Sequence, residues 1–210
     1  MDIVYPTALA SLIVQVTLGI VSSAAFFLLS SRHASGGLRI ILSLEFASQM
    51  VQLLWYVCAV LWFRSIITWT RYIGWAVSTP IMLTSMAMFF QLRQDRDVRS
   101  VVEDTNMWAV LVFSSLTLNV GFLLELGYLP ASASVIAGAG CLVAAFTLLE
   151  RFASRDDAWS YVIFFYVYSV WLLYAASSLL PYTQKNTGYN ALDIATHLYG
   201  LSLLVYVEIS

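Results

Sequence analysis

The stretch that decides the fold of this chain is residues 68–92, TWTRYIGWAVSTPIMLTSMAMFFQL. It contains a single charged side chain, Arg71, among apolar, aromatic and small polar residues. As a helix rising about 1.5 Å per residue, a stretch of this length crosses the roughly 30 Å of hydrocarbon in a bilayer. It lacks the polar and apolar alternation that is typical of a membrane strand. The stretch is therefore predicted to be a transmembrane helix.

The composition of the whole chain also indicates a membrane protein. Of the 210 residues, 60% are hydrophobic and 10% are charged, and the mean hydropathy is +0.81. Soluble domains carry about a quarter charged residues. The apolar stretches predict an all-α fold of one domain, 1–210, with seven transmembrane helices. The predicted spans are 5–30, 38–63, 68–92, 104–126, 130–151, 157–181 and 187–209.

The basic residues predict the orientation of this multi-pass bundle, because arginine and lysine collect on the cytoplasmic side of membrane proteins. The first, third and fifth predicted loops hold Arg32, Arg39, Arg93, Arg96, Arg99, Arg151 and Arg155. The opposite side holds Arg64 and Lys185. The N-terminus is therefore predicted to lie outside and the C-terminus in the cytoplasm, which requires an odd number of spans.

Ionisable residues inside the predicted spans point to the functional site, because charges in a bilayer are costly. Spans three and seven both run inward, so counting residues places Arg71 and Asp193 at the same depth in the outer half. They are predicted to form an ion pair. His197 shares a helix face with Asp193 near the midplane, where we expect it to be hydrogen-bonded. No second His or Cys stands at metal-ligand spacing, so no metal site is predicted.

A polar stripe runs along one face of span two. Glu45, Gln49 and Gln52 follow the i, i+4, i+7 spacing of a helix face. Glu45 is predicted to lie in the inner half, at the depth of Ser85. The stripe forms either a hydrogen-bonded seam between helices, as in many membrane bundles, or part of a wetted path for ions or protons. The sequence leaves both alternatives open.

Two motifs resemble the microbial rhodopsin family. Residues 71–80 read RYIGWAVSTP, which is similar to the third-helix pattern R-Y-x-D-W-x-x-T-T-P. In the seventh span, Asp193 precedes by four residues the position at which the family carries the lysine that holds retinal. Residues 119–125, NVGFLLE, and 80–83, PIML, most resemble rhodopsins of giant viruses and related marine microbes. The resemblance covers nearly the whole chain and implies a seven-helix bundle that forms homo-oligomers, either trimers or pentamers, in the lipid bilayer.

The resemblance also implies a pocket and a chemistry. In that family, retinal joins the lysine as a protonated Schiff base, and light then drives ion pumping, channel opening or signalling. By position, Trp75 and Trp171 would flank the polyene, Asp193 would be a counterion, and Arg71 would tune the outer ion path. The other pocket residues implied in this way are Tyr72, Ser78, Thr79, Pro80, Phe164 and Tyr168, of which Phe164 and Tyr168 depart from the family's aromatic pattern in helix six.

Three other departures bear on function. His197 occupies the lysine position, and an imidazole cannot form an imine with an aldehyde. The only lysine, Lys185, is predicted to lie in the last external loop. Gly74 replaces the carboxylate that takes the Schiff-base proton, and Ser85 stands at the proton-donor position. Losing the lysine together with one carboxylate leaves one arginine facing one carboxylate, a balanced arrangement. The site is therefore predicted to be adapted to the absence of covalently bound retinal.

These observations favour a rhodopsin-like membrane protein that has a binding, assembly or modulatory role without photochemistry. One alternative is an ion or proton channel or transporter that uses the polar path. Another is a protein that binds retinal or a carotenoid without a covalent bond. No nucleophile–base pair, phosphate loop or metal constellation predicts an enzyme. No basic patch with interleaved aromatic residues predicts a nucleic-acid partner.

Overall fold

The computed structural model describes residues 3–31, 36–62, 67–154 and 156–209, and these are helical apart from short turns. Arg32, Arg64 and Arg155, used above to predict orientation, lie outside the described residues. The helices are α1 (Val4–Ser31), α2 (Gly36–Val57), α3 (Thr68–Leu92), α4 (Ser100–Glu103), α5 (Thr105–Glu125), α6 (Ala131–Leu149), α7 (Ala158–Ser177) and α8 (Tyr182–Ile209). A π-helical turn, Cys58–Trp62, extends α2, and a 3-10 turn, Glu150–Phe152, follows α6. Because α4 is a single turn, the described chain has seven long helices, as the sequence predicts.

Two helices begin at aspartates that cap them. Asp104 accepts a hydrogen bond from the backbone N–H of Asn106 across 2.7 Å, and Asp157 accepts one from that of Trp159 across 3.2 Å. Such caps satisfy N–H groups that the first turn of a helix leaves free. Asp157 also forms an ion pair with Arg93, and the hydrogen bond from this guanidinium holds the pKa of the Asp157 carboxyl at about 2. This contact ties the end of α3 to the start of α7.

The turn between α5 and α6 depends on a glycine. Gly127 has a φ of 77°, a left-handed conformation that side chains with a Cβ disfavour. Its N–H donates to the carbonyl of Leu124 across 3.0 Å, and the N–H of Tyr128 donates to that of Leu123 across 2.9 Å. This pair of bonds is a Schellman C-cap. The short turn that results makes α5 and α6 antiparallel neighbours.

The boundary between the last two long helices differs from the prediction. α7 ends at Ser177 rather than at Pro181, and α8 begins at Tyr182 rather than at residue 187. A proline disfavours helix in the residue before it, which places the break here. The first turn of α8 is polar, so hydropathy assigns it to a loop. Lys185 therefore lies in this first turn, not in a loop, and its N–H donates to the carbonyl of Pro181 across 2.9 Å.

Within the described ranges, six helical segments are long and apolar enough to cross a membrane: Val4–Val21, Gly36–Trp62, Thr68–Leu92, Thr105–Glu125, Ala131–Phe152 and Ala158–Ser177. α8 has 28 residues but is more polar than these. Its polar side chains at Asn190, Asp193 and His197 are buried inside the bundle, whereas large apolar side chains such as Trp108 and Ile136 are exposed on the outside. An apolar exterior around helices whose backbone bonds are internal is the structure of a multi-pass membrane protein.

α3 is the central helix of the bundle. In α3, 67% of the residues of the membrane-spanning segment are buried, compared with 17% in α5. Its inner half packs in a large apolar cluster that includes Met86, Phe90 and Phe146. Its outer half carries Arg71 and Trp75, both buried. α3 therefore joins an apolar core at one end to a polar site at the other.

Candidate functional site

The outer half of the bundle contains a buried ion pair. Nη1 of Arg71 on α3 lies 2.8 Å from Oδ2 of Asp193 on α8, and both side chains are buried. The pairing predicted from equal depth is therefore confirmed. An isolated charge in such surroundings is strongly unfavourable, so each ion stabilises the other in place.

The Asp193 carboxylate accepts hydrogen bonds on both oxygens. Oδ2 accepts from Arg71 and from the hydroxyl of Tyr56, which lies 2.6 Å away. Oδ1 accepts from the hydroxyl of Tyr174 across 2.6 Å and from the indole N–H of Trp75 across 3.2 Å. Four donors from α2, α3 and α7 thus converge on one carboxylate. Charge-assisted bonds of this kind are strong, and they fix the relative positions of these helices.

Arg71 has partners besides Asp193. It donates to Oδ1 of Asn190 and, across 3.2 Å, to the hydroxyl of Tyr56. Its guanidinium carbon lies 4.6 Å from the ring centroid of Trp55, a cation–π contact. The carbonyl of Asn190 in turn accepts a hydrogen bond from Ser11 on α1 across 2.5 Å. One polar cluster therefore connects α1, α2, α3 and α8.

Three members of this cluster are not identified when only the charged residues of the sequence are considered. They are Tyr56, Asn190 and Tyr174. Helix-face spacing contains a signal for each. Tyr56 follows Gln52 by four residues and continues the polar stripe, Asn190 precedes the aspartate by three, and Tyr174 follows Trp171 by three.

A cavity of about 240 Å³ lies beside this cluster, among α2, α3, α5, α6, α7 and α8. Its wall combines the aromatic side chains of Trp75, Trp171 and Tyr174 with small residues of α5 and α6. Packing is closest at Gly121, where an added Cβ would lie 2.8 Å from the ring of Tyr72. The wall is mainly apolar, which is typical of small-molecule sites.

The cavity includes part of the pocket implied by the resemblance to rhodopsins. Its wall contains Tyr72, Trp75, Ser78, Thr79 and Trp171. By contrast, Pro80, Phe164 and Tyr168 do not line it. The rings of Phe164 and Tyr168 stack with centroids 6.2 Å apart, and both pack against Phe146 of α6. They therefore belong to an aromatic layer between α6 and α7, and Pro80 lies within α3.

His197 contributes to the polar part of the cavity wall, together with Gln52 and Ser78. Nε2 of Gln52 donates to Oγ of Ser78 across 3.1 Å. Nε2 of His197 is buried, and it has no hydrogen-bond partner within the described part of the chain. The hydrogen-bonded histidine that the sequence predicts is therefore not found at this atom. Because buried polar atoms are usually bonded, this nitrogen is a candidate contact for a ligand.

A second group of polar side chains lies in the inner half. Glu45 on α2 interacts with Ser85 on α3 and Tyr199 on α8, in agreement with the predicted depths. Oε1 of Glu45 and Oε1 of Gln49 are buried without a partner among the residues that the structure describes. The same is true of both side-chain polar atoms of Gln15 on α1. These helices therefore enclose several polar atoms whose hydrogen bonding is not satisfied by the described chain.

Comparison with known proteins identifies the family. The profile described as "Bacteriorhodopsin-like protein" matches residues 7–209. This chain belongs to the bacteriorhodopsin-like family. No match was found among curated protein sequences.

Solved rhodopsin structures resemble the bacteriorhodopsin-like chain along its full length. Viral rhodopsin OLPVRII superposes with a TM-score of 0.88 at 21% identity, over 100% of both chains. Blue light-absorbing proteorhodopsin from Med12 gives 0.76 at 15% identity, over 99% of this chain and 98% of its own. Bromide-bound halorhodopsin from Halobacterium salinarum gives 0.72 at 17% identity, over 96% and 93%. The likeness concerns the fold, and it supports the predicted seven-helix bundle.

The only lysine of this bacteriorhodopsin-like protein lies away from the cavity. Nζ of Lys185 lies 2.6 Å from Oε1 of Glu125, in an ion pair between α8 and α5. Along α8, the rise from Lys185 to His197 is about 18 Å. The wall of the cavity contains no lysine among the described residues. The wall therefore suits an apolar ligand but provides no primary amine to attach one.

Gly74 of the bacteriorhodopsin-like chain faces α2. A Cβ built on it would lie 3.5 Å from the ring of Trp55. The same ring covers the guanidinium of Arg71. A side chain at position 74 would therefore pack against Trp55, next to the guanidinium of Arg71.

Proposed function

We propose that this protein is a non-photochemical member of its family that binds an apolar ligand in the central cavity without a covalent bond. The observation that carries the proposal is the place of its only lysine. Lys185 is paired with Glu125 and is separated from His197 by about 18 Å of helix. An aldehyde needs a primary amine to form an imine, and the imidazole of His197 does not supply one.

The charges of the site support this proposal. Arg71 and Asp193 compensate each other, and Asp193 receives further hydrogen bonds from Tyr56, Tyr174 and Trp75. A cationic imine at position 197 would add a positive charge to an arrangement that is already neutral. Such a charge is unfavourable in apolar surroundings unless a second carboxylate accompanies it. The network is therefore suited to an uncharged occupant.

The size of the cavity indicates what kind of ligand fits. Its volume of about 240 Å³ is close to the lower limit of small-molecule sites, about 300 Å³. A single isoprenoid chain of the size of a retinoid suits this space better than a carotenoid, whose carbon skeleton is twice as large. Burying such a chain is favourable because each buried methylene contributes about 0.8 kcal/mol. Family members normally bind retinal, so a retinoid is the first ligand to test.

Adding all-trans-retinal to the purified protein in nanodiscs should give no red-shifted visible band. We expect an absorption spectrum close to that of free retinal, because a protonated imine is the source of the large red shift. After treatment with borohydride, mass spectrometry should detect no retinyl adduct. A red-shifted band or an adduct in the wild-type protein contradicts the proposal. In that event, a Lys185→Arg variant shows whether this lysine is the amine.

A second function, passive proton conduction, is favoured by the unsatisfied polar atoms of the inner half. Glu45, Gln49 and Gln15 have buried polar atoms without a partner in the described chain, and so does His197 in the cavity wall. Waters that bridge such atoms form hydrogen-bonded chains, and carboxyl and imidazole groups pass protons along them. Against conduction, Gln52 and Ser78 bond directly to each other across α2 and α3, as in an inter-helix seam.

Liposomes that contain the wild-type protein and a trapped pH-sensitive dye should lose a proton gradient faster than empty liposomes if the inner polar atoms conduct. Glu45→Gln and His197→Ala should then bring the rate close to that of empty liposomes, because each removes a titratable group from the path. Glu103→Gln is the matched control, since Glu103 is exposed on α4 and its loss should not change the rate. Equal rates for wild-type and empty liposomes exclude conduction.

A further inference from the structure

The polar groups at the His197 end of the cavity are almost all bonded to the protein. Oγ of Ser48 donates to the carbonyl of Ser78 across 3.3 Å, and Gln52 donates to Oγ of Ser78. Oγ1 of Thr196 donates to the carbonyl of Asp193 across 2.9 Å, within its own helix. Among the described residues of the wall, Nε2 of His197 is the fully buried side-chain atom that lacks a partner. His197 is therefore a candidate hydrogen-bond partner for a ligand at this end of the cavity.

The wall of the cavity carries no charged side chain among the described residues. Arg71 and Asp193 lie beside it but do not line it, and each is engaged by the other. A carboxylate on the ligand would find no cation, and an ammonium group would find no free carboxylate. Burying either charge without a partner is strongly unfavourable. The end of the ligand must therefore be polar but uncharged.

We propose that the cavity binds an uncharged isoprenoid alcohol or aldehyde of retinoid size, whose terminal oxygen forms a hydrogen bond with the imidazole of His197. This inference rests on the non-covalent binding proposed above. A neutral imidazole has one N–H donor and one acceptor nitrogen, so it can donate to a carbonyl oxygen or accept from a hydroxyl. Rotation of the ring about its Cβ–Cγ bond changes which ring atoms face the cavity. The apolar part of the ligand lies against Trp75 and Trp171.

The expected effect of this hydrogen bond follows from the cost of leaving a buried nitrogen unbonded. A neutral hydrogen bond changes affinity by roughly three- to tenfold. A buried charge on the ligand without a counter-charge lowers the affinity by more than tenfold. Retinol and retinal should therefore bind with similar affinity, and retinoic acid should bind at least about tenfold more weakly at neutral pH.

The experiment measures the binding of all-trans-retinol, all-trans-retinal, all-trans-retinoic acid and the hydrocarbon that lacks the retinol hydroxyl. Quenching of tryptophan fluorescence in nanodiscs reports binding, because Trp75 and Trp171 line the cavity. His197→Phe should weaken retinol and retinal binding by roughly three- to tenfold and leave the hydrocarbon unchanged. Thr117→Val is the matched control, since Oγ1 of Thr117 in the wall bonds to the carbonyl of Phe113 in its own helix across 3.0 Å.

Hydrocarbon binding by His197→Phe also shows that the variant keeps its cavity. A His197→Lys variant adds the missing cation, so it should bind retinoic acid more tightly than the wild type does. Equal binding of acid and alcohol by the wild type overturns the inference, and so does an unchanged affinity for retinol in His197→Phe. A failure of the proposed function gives a different result, namely a covalent adduct between the wild-type protein and retinal. Neither retinol nor retinoic acid can form such an adduct.

Discussion

His197→Lys should form a stoichiometric covalent adduct with retinal, which we expect the wild-type protein not to form. The α8 position that holds His197 already lies in the cavity wall, next to Thr196, so a lysine there places its amine at the end of the space where the aldehyde would lie. Trp75 and Trp171 already line the same cavity. The change supplies the missing nucleophile and leaves the rest of the pocket intact. Absorption spectra and borohydride trapping, before and after retinal is added, measure the effect.

The companion variant His197→Lys with Gly74→Asp tests the balance of charge. A protonated imine adds one positive charge beside the neutral Arg71–Asp193 pair, and a carboxylate at position 74 would compensate it. We expect stronger visible absorption in the double variant than in the single one at neutral pH. A Cβ at position 74 lies 3.5 Å from the ring of Trp55, an ordinary van der Waals distance, so the substitution is compatible with the backbone of α3.

His197→Arg is the control for the lysine variant, because it adds the same charge without a primary amine and should form no adduct. The elution profile of each variant on size exclusion shows whether it is folded. A folded His197→Lys protein that forms no adduct means that the cavity does not admit retinal. That result also removes the support for retinoid-sized ligands in the wild-type protein.

Breaking the buried ion pair should have the largest effect on stability. Asp193→Asn keeps the size of the side chain but leaves the guanidinium of Arg71 without its counter-charge, at a site where both are buried. Removing one partner of such a pair typically costs about 3–5 kcal/mol. In a protein of this size we expect Tm to fall by roughly 6–20 °C. Thermal unfolding of the nanodisc-embedded protein, followed by circular dichroism, measures the change.

The double variant Arg71→Gln with Asp193→Asn completes the test. It removes both charges, so it should recover at least half of the stability that Asp193→Asn loses, which is the coupling expected of residues in contact. Arg96→Gln is the control, since Arg96 is exposed and its loss should change Tm little. If Asp193→Asn unfolds at the wild-type temperature, the ion pair does not stabilise the bundle.

Hydropathy predicts helices well where the sequence changes sharply from apolar to polar. α3 has the predicted bounds, 68–92, and its apolar run ends where the polar residues Arg93 and Gln94 follow. The start of α8 is missed because its first turn is polar and is stabilised by contacts with other helices. Lys185 in this turn pairs with Glu125 of α5, and Asn186 donates to Thr68 of α3 across 2.8 Å. Such tertiary contacts are not visible to a scale that scores one residue at a time.

The candidate site, like the helices, is predicted from sequence only in part. Depth alone predicts the pairing of Arg71 with Asp193, because two opposite charges at one level of a membrane attract over several ångströms. Neutral hydrogen-bond donors such as Tyr56 and Tyr174 are recognised only when the rotation of each helix about its axis is known. The same rotation turns Phe164 and Tyr168 toward α6 and away from the cavity. Charge and depth therefore predict the ion pair of the site. The rotation of each helix about its axis determines which other side chains belong to the site.

The distance in sequence between the two ions has a consequence for biosynthesis. Arg71 precedes Asp193 by 122 residues, and at about 5–20 residues per second a ribosome needs roughly 6–25 s to make that length of chain. During this interval the carboxylate that pairs with the arginine has not yet been synthesised. The side chains that can contact the guanidinium at this stage belong to α2, which precedes α3 in the chain. The indole of Trp55 and the hydroxyl of Tyr56 contact the guanidinium in the folded protein. We therefore expect α2 to provide the contacts of Arg71 before α8 is synthesised.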